Sequence, residues 1–369
     1  MDPQRDWREV EWLRVTVLVD NITDMLSEPP AAAGAGAGAA CSYTSEKHRH
    51  VAAVRSGAAP CLDFRKGLLA AHGLSLLLTA QPAGGGSPRT LLFDAGPDAL
   101  VLRTNFERMG VDAAAIEAVV LSHWHMDHSG GLPAAAQMIA KAHTATAWAS
   151  VHGPPPPAVI DVHPRRPARR GALLPDGSAV PFNADPKLSE LRITGATVVE
   201  EHAEPHTLCG GCFYVSGAIP RQTSYEGGNP GNATQWEEGG AWQADPLVED
   251  ERFLAVRVRG RGPVVLSACS HAGVVNVLRA ASLAAGGDAP HAVIGGLHLS
   301  TPDCVDRIQD TVDDIKAMAP ALVVAGHCTG WRAQAALVAA LPDRCMPGTV
   351  GAIYEFREPV EEREGGAPA

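Results

Sequence analysis

Apolar and polar positions alternate over residues 13–19, where β-branched side chains dominate, and this pattern predicts a first strand. Short apolar runs at 74–79 and 90–93, joined by a glycine-rich turn, predict two more strands. Helical spacing follows at 98–109, then a strand at 119–121 and a helix at 132–142. Strands are predicted again at 191–199 and 212–216. The second half then mixes strands (254–258, 264–268, 292–294, 322–325 and 351–356) with helices (274–285, 303–318 and 333–341). A chain so patterned buries its strands between helices as an α/β fold. The Ala-Gly repeats within 28–60 offer too little apolar surface for a core and predict a disordered insertion. The Pro-rich stretch 152–175, with Arg165, Arg166, Arg169 and Arg170, reads as a solvated loop, or else as a patch that gathers a phosphate-bearing substrate. Residues 227–241 read as a Gly/Asn-rich loop. Residues 1–12 form an extension and the tail from 358 frays, leaving 13–357 as one domain.

One short segment breaks the pattern. Directly after the apolar run ending at Leu121 stand Ser122-His123-Trp124-His125-Met126-Asp127-His128-Ser129-Gly130-Gly131. Folding does not call for three imidazoles and a carboxylate within six positions. His123 and His125 are two apart, so an extended strand end aims both at one point. Asp127 and His128 lie past the bend and aim a few ångströms away. Imidazole and carboxylate suit Zn²⁺, Mn²⁺ or Fe²⁺, and two such ions form a common hydrolytic pair. The segment predicts a metal site holding one or two ions, with Zn²⁺ the first candidate.

Composition narrows the setting. A net charge of −11 argues against nucleic acid or an anionic membrane as the main partner. No apolar run approaches the ~18 residues of a membrane span. The charged N-terminus lacks a secretory apolar segment, and eight cysteines do not make a disulfide scaffold in 369 residues, so a cytoplasmic setting is expected. Cys209 and Cys212 form a lone pair without the second pair that a zinc knuckle needs. The expected partner is a small molecule, with an anionic one among the candidates; the sequence leaves the oligomeric state open.

The signature resembles the HxHxDH motif of the metallo-β-lactamase superfamily. Leu91-Leu92-Phe93-Asp94-Ala95-Gly96 resembles the strand and turn that precede the motif, and Val323-Val324-Ala325-Gly326-His327 the late strand that delivers the last ligand. Asp20-Asn21, Ala71-His72-Gly73-Leu74-Ser75, Gly217-Ala218-Ile219-Pro220-Arg221, Cys269-Ser270-His271-Ala272-Gly273, Gly295-Gly296-Leu297-His298-Leu299 and Gly326-His327-Cys328-Thr329-Gly330 occur in that order. Together they are similar to a branch of metal-dependent hydrolases that includes an archaeal dihydropterin–ribofuranosylaminobenzene phosphate synthase. The resemblance implies the αββα sandwich of the metallo-β-lactamase fold. It assigns His123, His125 and His271 to a first ion and Asp127, His128 and His327 to a second, with Asp94 bracing the loop. Asp127 and His298 are the candidate catalytic groups. His298 and Arg221 are the candidate substrate contacts, Arg221 because its planar fork suits carboxylate or phosphate.

The chain departs from the superfamily at one place. The superfamily normally offers a His and then an Asp that bridges both ions from a strand end, but the strand here ends Ser267-Ala268-Cys269-Ser270-His271, with no carboxylate. His202 or His206 could fill a vacant ligand position. Cys269 and Cys328 read as small buried residues, or as groups that support the ligands beside them. Four functions follow from these residues. The first is a hydrolase that uses metal-bound hydroxide on an ester, lactone or phosphoester. The second is a transferase acting on a pterin-type or pyrophosphate substrate. The third, an oxidoreductase like the flavodiiron proteins, lacks the extra carboxylates and the flavodoxin-like domain it requires. The fourth is a non-catalytic metal-binding protein.

Overall fold

Along the strand Arg89–Phe93, Leu91 and Phe93 enter one apolar core while Leu92 enters another. Val119 and Val120 divide in the same way, as do Val264 and Val265, Val293 and Ile294, and Val323 and Val324. Successive strand side chains face opposite sides, so these strands are covered on both faces and read as unbroken apolar runs. Three cores result. The innermost takes Val15, Leu76 and Val120 from one half of the chain and Leu254, Val264 and Val324 from the other, which places two sheet halves face to face. Helices Ala99–Met109 and Leu132–Ala149 cover the first half through Leu102, Phe106, Leu132 and Ile139. Helices Val274–Ala284, Ile308–Met318 and Trp331–Ala340 cover the second half. Helix, sheet, sheet, helix is the expected αββα sandwich.

This computed structural model describes residues 3–24, 26–33, 41–45, 54–56, 59–61, 63–149 and 155–359. From one edge the main sheet runs Thr197–Glu201, Ala158–Val162, Ile116–Val120, Arg89–Phe93, Ser75–Pro82 and Glu9–Val19. It continues through Leu254–Val258, Gly262–Ser267, Ala292–Gly296 and Leu322–Gly326 to Cys345–Pro347. The halves join at two parallel pairs, Glu9 with Arg257 and Val10 with Val258. Gly262–Ser267, Ala292–Gly296 and Leu322–Gly326 are parallel, as are Arg89–Phe93 and Ile116–Val120. The carboxyl ends of both sets lead into the segments that carry the clustered donors, and α/β folds place their ligands at such strand ends.

Several expectations change. The first strand starts at Glu9, and Trp7 is buried on Tyr214 with ring centroids 4.7 Å apart, so the extension is built into the fold. Within 28–60, Ala33 and Cys41 join the inner core, Ser42–Ser45 pairs with Ala352–Arg357, and Val54–Ser56 pairs with Ala59–Cys61. Tyr43 and Thr44 are good strand formers, and a sheet edge recruits them. The rest of that insertion lies outside the described residues, as does the tail beyond 359. The Pro/Arg-rich stretch contains the strands Ala158–Val162 and Arg169–Leu173. Arg170 there is buried against Asp245 (3.0 Å) and Asp250, acids too distant in sequence for the local pattern to show. In place of one strand over 191–199 stand a helical turn, Leu188–Leu191, and a strand, Thr197–Glu201. The Gly/Asn-rich loop holds the strand Asn232–Gln235, which joins Ala179–Pro181, Arg169–Leu173 and Gln243–Ala244 in a small second sheet. Among the described residues no helix is long and apolar enough to cross a membrane.

Candidate metal centre

The signature loop is held from behind before it presents any ligand. Asp94 follows a strand end, with φ of 58°, and its carboxylate is fully buried. It accepts the backbone N–H of Ser122 (2.7 Å), the Ser122 hydroxyl (2.7 Å) and Nδ1–H of His128 (2.7 Å). Since Ser122 donates to Asp94, its oxygen is left to accept from His123 Nδ1 (2.9 Å). One carboxylate thus fixes two imidazoles with their Nε2 lone pairs turned into the cleft. Asp250 accepts the backbone N–H of Trp124 (2.7 Å), and Arg252 donates to the Leu121 carbonyl (2.6 Å). Gly130 and Gly131 are required where the loop turns into its helix. A Cβ on Gly130 would lie 1.9 Å from the Pro97 carbonyl oxygen, and one on Gly131 would lie 2.0 Å from that of Ala95.

The remaining donors arrive from other strand ends. Asp20 ends the first strand and accepts the backbone N–H of His327 (2.9 Å). The Asn21 side-chain oxygen lies 3.2 Å from His327 Nδ1, and its amide nitrogen lies 3.2 Å from His72 Nδ1. This gives Asp20-Asn21 the role its sequence left open: it orients His327 so that Nε2 faces the cleft. Glu251 accepts the backbone N–H groups of His271 (2.7 Å) and Ala272 (2.7 Å) and so holds the turn that carries His271. Burial pushes the Glu251 carboxyl up to about 7, against the lowering effect of those two amides. Asp94, Ser270, His298 and His327 all have positive φ, between 44° and 61°. Such strain persists where the surrounding structure over-determines it, commonly at functional sites.

The donors converge. His123 Nε2 lies 2.9 Å from His125 Nδ1 and 3.2 Å from His271 Nε2, and the three form one close ligand set. Asp127 Oδ2 lies 3.3 Å from His327 Nε2 and 3.6 Å from Nε2 of both His128 and His72. The His327 contact has ion-pair range without hydrogen-bond geometry, and His327 Nε2, like His125 Nε2 and His271 Nδ1, is buried with no hydrogen-bond partner. Burial pushes His123, His125 and His271 well below the ordinary histidine range, with neighbouring positive groups adding to the effect. Three neutral imidazoles whose nitrogens crowd one point repel one another unless a cation lies between them. Burial would raise Asp127, but His128 and His327 hold its carboxylate far below the usual range. His128 is lifted to about 9 because Asp127 and Asp94 outweigh its burial. Two carboxylates thus favour positive charge at this point. The donor set fits one or two transition-metal ions.

The six predicted ligands thus meet in one place. His298 joins them: its ring centroid lies 4.3 Å from that of His271, the planes tilted by 49°, and both of its nitrogens are buried without a hydrogen-bond partner. An open pocket of about 880 Å³ lies over the centre and is lined by His125, Asp127, His271, His298, His327 and Cys269, among others. Arg221 stands apart, in a neighbouring cavity of 430 Å³, where it donates to the Leu247 carbonyl. His202 and His206 do not join this cluster. Their ring nitrogens lie 2.5 and 2.9 Å from buried Asp161, which Arg252 also engages at 2.5 Å. Arg165 faces Glu249 (3.1 Å), and Arg166 caps the carbonyls of Asp185 and Pro186, so the arginine-rich stretch is largely occupied. Cys209 and Cys212 pack on the inner core. The sequence reading missed Glu251, Asp250 and Arg252. All three are buried, and the visible signal was their position just before a strand.

Layered sheets with a histidine and aspartate cluster at their strand ends define the class: the chain has the metallo-β-lactamase fold. The family described as the beta-lactamase superfamily domain matches residues 89–213. In sequence the chain resembles the 7,8-dihydropterin-6-methyl-4-(beta-D-ribofuranosyl)-aminobenzene-5'-phosphate synthase of Methanocaldococcus jannaschii. The two are 28% identical over 264 residues, covering 71% of this chain and 82% of that one. In structure it resembles a metal-dependent hydrolase of the β-lactamase superfamily at a TM-score of 0.60 and 20% identity, covering 92% of this chain and 98% of the other.

Proposed function

We infer that this protein is a metal-dependent hydrolase that cleaves an ester, lactone or phosphoester bond of a small molecule. The convergence of three neutral imidazoles and an Asp127–His128–His327 group on the floor of one open pocket carries the reading. His123, His125 and His271 would hold one ion and Asp127, His128 and His327 the other. Bound there, Zn²⁺, Mn²⁺ or Fe²⁺ supplies Lewis acidity and brings the pKa of water to near neutrality. Asp94, Ser122, Asp20 and Asn21 keep the ligand rings in the productive tautomer and angle. His298, beside the ligands with both nitrogens free, donates a proton to the leaving group or a hydrogen bond to the oxyanion. Phe182 and Leu173 give the pocket an apolar wall, which suits a small organic substrate. An anionic group on that substrate would meet the histidines and cations, since Arg221 faces elsewhere. Free cysteines beside the centre fit a cytoplasmic setting.

A second reading has one observation in its favour, the archaeal relative that is named as a synthase. In that case the same pocket would accept a pterin-type or pyrophosphate substrate and transfer a group to an acceptor other than water. Metal-replete enzyme offered phosphodiesters, phosphomonoesters, lactones and pterin precursors separates the two by the products formed. Hydrolysis of one class, lost on chelation and regained with metal, is the expected result; turnover insensitive to chelation would remove the hydrolytic reading.

A further inference from the structure

One wall of the pocket comes from the small second sheet and its loops, through Ala172, Leu173, Pro181 and Phe182. Five of the seven phenylalanines in the chain are at most 5% exposed, as apolar burial favours, but Phe182 is 41% exposed. Its ring stands edge-on to that of His125, with centroids 6.2 Å apart and planes at 82°. The fold therefore leaves an aromatic ring partly uncovered beside a proposed ligand.

Buried hydrogen bonds fix that ring relative to the ligand loop. The Phe182 backbone N–H donates to the Arg170 carbonyl (2.8 Å). The Arg170 guanidinium is buried and donates to Asp245 (3.0 Å) and Asp250. The other Asp250 oxygen accepts the backbone N–H of Trp124 (2.7 Å), which stands between His123 and His125. One buried arginine thus joins the wall to the ligand loop, as a preorganised binding surface requires.

We propose that Phe182 is a specificity-determining residue, its ring packing on an aromatic or similarly flat apolar group that the substrate carries close to its reacting atom. The proposal rests on the metal reading above and adds to it a substrate class. It concerns binding, so it holds for hydrolysis and for group transfer alike. Covering the open part of the ring, and ring-to-ring contact, both favour such a group over a short alkyl one.

Thiolates bind Zn²⁺ and Co²⁺ directly, the thiol proton passing to solvent, so two thiols that differ in their arm probe the wall without the substrate. Phenylmethanethiol and ethanethiol are titrated into the cobalt-loaded full chain and followed by visible absorption, after cobalt content has been measured. The wild type is expected to bind phenylmethanethiol the more tightly. Phe182→Ala should weaken phenylmethanethiol ~2–10-fold and leave ethanethiol and cobalt content unchanged. Phe182→Leu, which keeps an apolar side chain without the ring, should recover only part of that loss and serves alone if the alanine variant misfolds. Equal weakening of both thiols, no weakening of phenylmethanethiol, or full recovery with leucine overturns the assignment, as does a cobalt-loaded wild type that binds neither thiol. A wild type that takes up no cobalt refutes the metal reading itself, and the assignment falls with it.

Discussion

A single carboxylate, Asp94, does the work of two at the centre of this protein, because Ser122 relays its hold to His123 while His128 is bound directly. The ligand residues are therefore pre-aimed, and each change to one should act on metal and turnover rather than on the fold. His125 has an unpartnered Nε2 and contributes little packing beyond its ring, so His125→Ala should abolish turnover while leaving the far-ultraviolet circular dichroism unchanged. A variant that keeps full activity would remove His125 from the ligand set. His298 is argued to act on substrate. His298→Ala should lower kcat by ~100-fold or more with metal content intact. Loss of metal in that variant would move His298 among the ligands.

At the scale of elements, what positions the centre is the set of turns that leave parallel strands. Much of this was legible: the apolar runs gave the strands of both halves to within a few residues, and the HxHxDH spacing gave its own strand-to-helix turn. Two things were hidden. The supports Asp20 and Asp250 act across more than a hundred residues of chain and Glu251 across a whole strand, and local patterning carries no sign of such pairing. The second sheet was also hidden, since Arg169–Leu173 and Asn232–Gln235 look like polar loops until Arg170 is matched with Asp245. The glycines of the turn make a direct test. Gly131→Ala places a methyl 2.0 Å from the Ala95 carbonyl oxygen and should cost ~1–3 kcal/mol, seen as a lower Tm in metal-free protein. An unchanged Tm would show that the turn and its neighbouring strand end can separate without cost.

Over the whole molecule, charge is buried where sheet and loop meet. Asp161 has no exposed surface and is held by Arg252, His202 and His206. Burial would raise its pKa, but the His206 hydrogen bond and the Arg252 guanidinium bring it down to about 2 from 3.8. A carboxyl lowered on folding stabilises the native state above its unfolded value and loses that contribution as pH falls through its folded value. The stabilisation is therefore complete above about pH 4 and fades towards pH 2, on the order of 2 kcal/mol in all. Urea unfolding of wild type and Asp161→Asn should show a stability gap that narrows over this interval; a gap constant from pH 5 to pH 2 would contradict the assignment.

The proposed ligands come from both sheet halves, His123 and His125 from one and His271 and His327 from the other, while among the described residues Glu9–Val19 and Leu254–Val258 share two ladder pairs at the seam. A cation gripped by both sides is then a rivet as well as a reagent. By mass action, free metal at a hundredfold its dissociation constant adds ~2.7 kcal/mol to the native state. An ion held there would also set how long the chain survives in a cell, so that scarcity of metal would thin the folded population as well as empty the pocket.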